Sequence, residues 1–344
     1  MKKILQKKAL PDWLIKLKEY QIIAPVKEET HWEYRVLRNL TRINLDYANT
    51  IMSPKKFVFP QREVYFRFRN SQSDDYDIIE NLPEEKPAII FGVRPCDARA
   101  VTLMDKVFGG DIKDPYYWKR RNSIILIGLN CIHPPSENCF CTSVDGSPFS
   151  REGMDIQLTE MGDTYYVESV TKKGEDLIRK ASSLFKEPVE ADKTEKKKLK
   201  SRAEKEINRK IPEINKIPGK LEKMFDSNFW NDESLSCIRC GICTYLCPTC
   251  HCFDINDETK SNSPLEGERV RTWDNCQFPD FTMHSSGHNP RPDRASRLRQ
   301  RTLHKFQYFT KLHKTYQCIG CGRCVSQCPV GIDIIEILNK VNAR

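Results

Sequence analysis

No apolar run in this chain of 344 residues approaches the ~18 that a membrane-crossing helix needs. The longest, AIIFGV and SIILIGL, have the length of buried strands. The opening MKKILQKKALPDWLIKL does not read as a secretory leader, because Lys7 and Lys8 interrupt it and no small-residue cleavage site follows. The expectation is therefore a soluble, cytoplasmic protein with no membrane span. Also missing are a G-x-G-x-x-G turn after a strand and a Walker-type phosphate loop. No nucleophile–base pair stands out either. The chain is expected to bind no flavin or nucleotide of its own and to carry no catalytic residue.

Sulfur, by contrast, is abundant, with fifteen cysteines. In a reducing compartment clustered thiols hold metal more often than they form disulfides. Hydrophobic residues make up 39% and charged residues 30%, an ordinary globular balance with a highly charged surface. The length suits about two domains of ~150 residues each.

Residues 1 to about 60 read as a helical start, DWLIKLKEY, followed by short strands between proline-marked loops. KPAIIFGV is then a strand running into PCDARAVTLMDKVF. There Asp97 is placed to cap a helix with Ala100, Leu103, Met104 and Val107 on one face and Gly109 at its end. NSIILIGLNC is a second buried strand, so the order implies parallel strands joined through a helix. MDIQLTEMGDTYYVESV alternates like a hairpin around Gly162 and Asp163. From Lys172 to Lys223 the chain turns Lys- and Glu-rich, as a solvated helical connector does. The reading is an α+β protein: an α/β domain over 1–171 with a cysteine-rich centre, a charged connector over 172–228, and an α-helical ferredoxin-like dicluster domain over 229–344.

The last of these carries the sharpest signal. C-x2-C-x2-C-x3-C-P, in which three cysteines ligate one cubane and the fourth crosses to its neighbour, occurs twice, in CIRCGICTYLCP and CIGCGRCVSQCP. Cross-wiring assigns Cys237, Cys240, Cys243 and Cys328 to one [4Fe–4S] cluster, and Cys318, Cys321, Cys324 and Cys247 to the second. A zinc site needs two separated C-x2-C pairs around one ion, and the extra cysteines at fixed distances do not fit it. Gly241 and Gly322 serve either as turn glycines or as places where backbone wraps close to an inorganic core.

Both strands of the parallel pair deliver a cysteine at their C-terminal ends, Cys96 and Cys131, and PPSENCFC adds Cys139 and Cys141. These four either ligate a third [4Fe–4S] cluster or are ordinary buried thiols. Cys250, Cys252 and Cys276 remain as candidate metal ligands, with His251, His284 or His288 as a fourth donor, or as thiols packed near the other clusters. Arg291, Arg294, Arg297, Arg299 and Arg301 are expected to clamp backbone and acidic groups within the chain, with a partner-facing role as the alternative. The formal charge of +9 suggests nucleic acid. Three assemblies of about −2 to −3 each would bring it to about +3 to 0, which removes that argument.

Together FGVRPCDARAVTLMDKVF, NCIHPPSENCFC, CIRCGICTYLCPTCHCFD, WDNC, GHNPRPDRASRLRQRTLHKF and CIGCGRCVSQCPVGIDI resemble the iron–sulfur β subunit of cytoplasmic sulfhydrogenases and the corresponding iron–sulfur subunit of anaerobic sulfite reductases. The similarity runs in order from about Lys55 to the C-terminus, the charged connector excepted. It implies the α/β-plus-ferredoxin architecture, two ferredoxin-type [4Fe–4S] clusters and a third in the α/β domain. It also implies partners: a reductase subunit with FAD, [2Fe–2S] and an NAD(P) site, and a catalytic subunit of the nickel–iron hydrogenase or sirohaem sulfite reductase type. The expected role is single-electron relay in an anaerobic oxidoreductase complex. The alternative is a reductase subunit whose own open-site cluster acts on sulfite, polysulfide or a heterodisulfide.

Overall fold

An apolar run without polar interruption suits a strand covered on both faces, and the two such runs of this chain lie in the middle of a sheet. The computed structural model describes residues 1–70, 76–84, 86–260 and 263–344. Its first half contains β1 (Lys2–Gln6), α1 (Leu10–Lys16), β2 (Gln21–Lys27), β3 (Trp32–Val36), β4 (Arg62–Asn70) and β5 (Tyr76–Glu80). There follow β6 (Ala88–Val93), α2 (Pro95–Phe108), α3 (Pro115–Ser123), β7 (Ile124–Leu129) and the hairpin β8 (Ile156–Met161) with β9 (Thr164–Ser169). Eight strands, the short β10 (Phe185–Lys186) included, form one sheet in the order β10-β1-β9-β8-β7-β6-β2-β3. Within it β2, β6, β7 and β8 run parallel, as the strand–helix–strand order requires.

Alternation along the buried strands loads both faces. Ile89, Phe91 and Ile127 point to one side, where Leu14 of α1 and Leu177 of α4 (Lys172–Arg179) cover them. Ile90 and Leu126 point to the other, against Val101 and Met104 of α2 and Tyr117 of α3. Burying one such side chain contributes roughly 1.5–3 kcal/mol. Asp97 is not the cap of α2. Pro95, with its fixed φ, takes the first helical position, so Asp97 falls inside the first turn and its carboxylate is engaged by Arg323. Before α1, Lys2 and Lys3 lie in strand β1, and Lys7 and Lys8 in a 3-10 turn.

The connector holds α4, β10, α5 (Glu190–Lys205) and α6 (Ile217–Lys223). Only Leu199 and Ala203 of α5 are buried, against Phe149, so the helix is solvated over most of its surface. Beyond it come α7 (Phe229–Ser234), α8 (Ile242–Tyr245), β11 (Phe253–Lys260), β12 (Ser263–Trp273), α9 (Arg294–Leu303), a π-helical turn at His304–Tyr308 and α10 (Phe309–His313). The last two helices are α11 (Arg323–Ser326) and α12 (Ile334–Asn342). Leu221, Trp230, Leu298, Phe306 and Leu338 form the helical core, which also takes in Phe140 and Val144 from the first half of the chain.

The expectation of an all-helical C-terminal region needs correction at β11 and β12. They form a four-stranded antiparallel sheet, β11-β12-β4-β5, with strands from the first half of the chain. Arg271 of β12, buried, pairs there with Glu63 of β4 and with Asp114, the residue that caps α3. The sheet therefore crosses the 228/229 boundary.

Asp333 caps α12, accepting from the Ile335 N–H at 2.8 Å while its other oxygen takes Arg209 at 2.6 Å. Asp333→Ala should cost about 0.5–2 kcal/mol, read as a lower urea midpoint. Among the described residues, no helix is long and apolar enough to cross a membrane.

Candidate metal centre

The duplication in the sequence is a duplication in space. Gly241 and Gly322 sit at matching left-handed positions, φ 76° and 75°, and each opens a single-turn helix, α8 and α11. A side chain there is barred twice. A Cβ on Gly241 would lie 2.2 Å from the Asn275 amide nitrogen, and one on Gly322 would lie 2.6 Å from the Asn138 carbonyl oxygen. The turn and the close approach both operate.

Cys237, Cys240, Cys243 and Cys328 line one cavity, with Ile238, Leu298 and Ile332 among its apolar walls. Burial raises the Cys237 thiol, and the crowding sulfurs of Cys243, Cys328 and Cys240 raise it further against a backbone N–H that lowers it. Cys240 is exposed, so this set reaches the surface. Cys318, Cys321 and Cys324 are pushed up chiefly by burial, Cys318 to about 11, with the Cys247 sulfur adding to each. Cys324, placed in the second set by the sequence, also lines the cavity of the first, so the two sets adjoin.

The N-terminal four also meet. Cys96 lies in the first turn of α2, Cys131 just beyond β7, and Cys139 and Cys141 on the loop that follows. Burial lifts Cys139 and Cys141 to about 12, with the Cys131 sulfur the next cause for both. Cys96 is raised by burial, then by Asp97, Cys321 and Cys131. This set therefore adjoins the second. The Phe140 N–H donates to the Gly320 carbonyl at 2.9 Å, and Cys96 and Cys321 share an apolar contact with Ala100, Leu103 and Ile319.

Buried cations accompany the sulfurs, and sequence reasoning missed most of them. Lys305 Nζ donates to Cys247 Sγ at 3.2 Å and to Thr249 Oγ1 at 3.1 Å. Arg301 donates to the Cys243 carbonyl at 2.9 Å, while its Nη1, also buried, has no partner among the described residues. Arg94 lies beside Cys131 and Cys96, bonded to the carbonyls of Ala48 and Asn130. Lys55 Nζ reaches the carbonyls of Cys247 and Cys250 at 3.1 and 3.0 Å and stands over the Trp273 ring. Among the described residues none of these four has a carboxylate at ion-pair distance, and an unpaired buried charge is costly. An anionic assembly at each sulfur set, such as a cysteine-ligated iron–sulfur cluster, would supply the missing counter-charge. The residues fit the group.

Three more of the arginine run donate to backbone carbonyls inside the chain: Arg294 to Leu235, Arg297 to Arg291 and Arg299 to Phe225. His284 and His288 form an exposed ring pair. His251 is half-buried, lowered to about 4 by desolvation, with Nδ1 facing the Thr249 carbonyl and the Gln317 amide. Among the described residues, no three His, Cys, Asp or Glu side chains converge as a single metal ion requires. A cubane, by contrast, spreads its ligands around a core of several atoms.

The fold and the sulfur sets define an iron–sulfur protein of the dicluster class, and residues 236–332 match the family model of the 4Fe-4S dicluster domain. The chain is 30% identical over 338 residues to the sulfhydrogenase 2 β subunit of Pyrococcus furiosus, covering 98% of this chain and 97% of that protein. It belongs to the sulfhydrogenase β-subunit family. No solved structure matches it.

Proposed function

We propose that this chain relays single electrons through three [4Fe–4S] clusters between a partner carrying FAD, [2Fe–2S] and an NAD(P) site and a catalytic partner of the nickel–iron hydrogenase or sirohaem sulfite reductase type. The ligands are Cys237, Cys240, Cys243 and Cys328; Cys318, Cys321, Cys324 and Cys247; and Cys96, Cys131, Cys139 and Cys141. When bound, the clusters supply one-electron steps at potentials set by hydrogen bonds, charge and burial. The α/β part (1–171) and the ferredoxin part (229–344) each contribute redox ligands, and the connector (172–228) joins them.

The observation that carries this reading is contiguity: the second sulfur set touches both of the others, and both ends of the row are open. Cys240 is exposed at one end. At the other, Cys139 borders a surface groove with Arg202, Lys205 and Arg209. Lys305, Arg301 and Arg94 offset cluster charge from fixed positions, and Leu103, Ile319 and Phe309 exclude water between the second and third sets.

Iron and labile sulfide in anaerobically purified protein test the assignment. Cys131→Ser should lose about four irons from the α/β part, and Cys240→Ser about four from the ferredoxin part. Cys131→Ser with undiminished iron would remove the third cluster. Cys240→Ser with every cubane intact would contradict the cross-wiring.

A further inference from the structure

Twelve ligands leave Cys250, Cys252 and Cys276, and these three are neither scattered nor packed as hydrophobes. Cys250 and Cys252 follow the first motif into β11, and Cys276 follows β12. The hairpin register sets Phe253 opposite Trp273, and the Asp274 N–H donates to the Cys252 carbonyl at 3.0 Å, which brings Cys252 alongside Cys276. Cys250 lies one turn from Cys247, its N–H 3.3 Å from the Cys247 carbonyl. None of the three joins a packed hydrophobic cluster, although Cys276 is buried and Cys96, Cys318, Cys321 and Cys324 do join one. Their surroundings are polar and positive. Gln277 Nε2 donates to Cys276 Sγ at 3.5 Å, and Thr244 Oγ1 stands 3.7 Å from Cys276 Sγ and 4.0 Å from Cys243 Sγ. Lys55 is held on the Cys250 carbonyl, and the orphaned Nη1 belongs to Arg301, whose guanidinium lies near the sulfurs of Cys243, Cys324, Cys250 and Cys247.

We propose that Cys250, Cys252 and Cys276 ligate a fourth iron–sulfur cluster, seated beside the two ferredoxin-type sites. The inference rests on the iron–sulfur reading of the two ferredoxin-type sulfur sets. A single ion is a poor occupant, since no three donors converge among the described residues. An anionic core of several atoms answers both the spread of the sulfurs and the surplus of buried positive charge. With three cysteines for four irons, one iron of a cubane keeps no cysteine ligand from this set.

The test is iron and sulfide content of the full chain, reconstituted anaerobically with ferrous iron and sulfide. It is paired with Cys276→Ser, Cys250→Ser and Cys131→Ser and with iodoacetamide mapping of the free thiols. About sixteen irons in the wild type, about twelve in Cys276→Ser, and all three thiols protected from alkylation support the proposal. About twelve in the wild type, falling to about eight in Cys276→Ser but unchanged in Cys131→Ser, also support it and overturn the third cluster instead. Twelve in both wild type and Cys276→Ser, with Cys250, Cys252 and Cys276 alkylated, overturns it while the three-cluster reading stands. Reversible closure of Cys252 and Cys276 into a disulfide without loss of iron overturns it as well. Should Cys276→Ser fail to fold, Cys250→Ser and the wild-type alkylation map decide by the same outcomes.

Discussion

Arg323→Gln lowers the stability of the folded chain by about 3–5 kcal/mol, because it removes one partner of a buried ion pair and leaves the other charged. Arg323 follows Gly322 in the second cysteine motif, and Asp97 follows Cys96 at the start of α2. Their side chains are 3% and 0% exposed. The guanidinium meets the carboxylate in bidentate fashion, Nη1 to Oδ1 at 2.6 Å and Nη2 to Oδ2 at 2.8 Å. Its Nε donates to the Thr50 carbonyl at 2.8 Å and Nη2 reaches Asn49 Oδ1 at 2.5 Å. Glutamine keeps part of the volume and offers none of the fork. Urea unfolding of the anaerobic holoprotein gives the loss. The double variant with Asp97→Asn should recover a large part of it, since it removes the abandoned charge. Arg323→Lys should fall between, keeping the charge without the two parallel bonds. A loss below about 1 kcal/mol would mean that the pair does not exist in solution.

What the sequence made legible divides along chain distance. Cys237 to Cys247 and Cys318 to Cys328 are local patterns, and their spacing alone carries the proposal of three ligands around one core and the fourth on its neighbour. Cys96 and Cys131 were legible for a different reason: adjacent parallel strands end on one edge of a sheet, so two distant cysteines are brought together by topology. The counter-charges were not legible. Lys55 is 192 residues from Cys247, and Arg323 is 226 from Asp97. No periodicity or spacing connects such pairs, because only the packed structure brings them into contact. Arg94 did carry a signal, standing two residues before Cys96. The strands β11 and β12 were missed because neither alternates apolar with polar on a buried face: β12 buries Val270 and Trp273, three residues apart. Every residue of β11 is exposed, so hydrophobic alternation, the usual mark of a strand, is absent and backbone pairing with β12 and then β4 does the work. The Asp97 cap failed because a proline at the first helical position is a stronger start signal than an aspartate two residues later.

Gly320→Ala separates the second sulfur set from the third. Gly320 stands between Cys318 and Cys321 at φ +65°, where a Cβ costs about 1–2 kcal/mol on its own. The added carbon would also lie 2.5 Å from the Cα and N of Cys141 and 2.6 Å from the carbonyl carbon of Phe140. Those atoms are backbone, so no side chain can swing away. Relief requires moving the loop that carries Cys139 and Cys141, and it breaks the hydrogen bond from Phe140 N–H to the Gly320 carbonyl. The expected result is loss of the iron assigned to Cys96, Cys131, Cys139 and Cys141, about four atoms per chain, with the surface set at Cys240 retained. Gly162→Ala is the control. Gly162 has φ +57° and nothing within 4 Å of the added carbon, so it carries the same backbone strain without the clash and should keep its full iron. Equal iron content in the two variants would show that the loop of Cys139 and Cys141 does not rest on Gly320, and the continuous row of sulfur sets would be broken at that point.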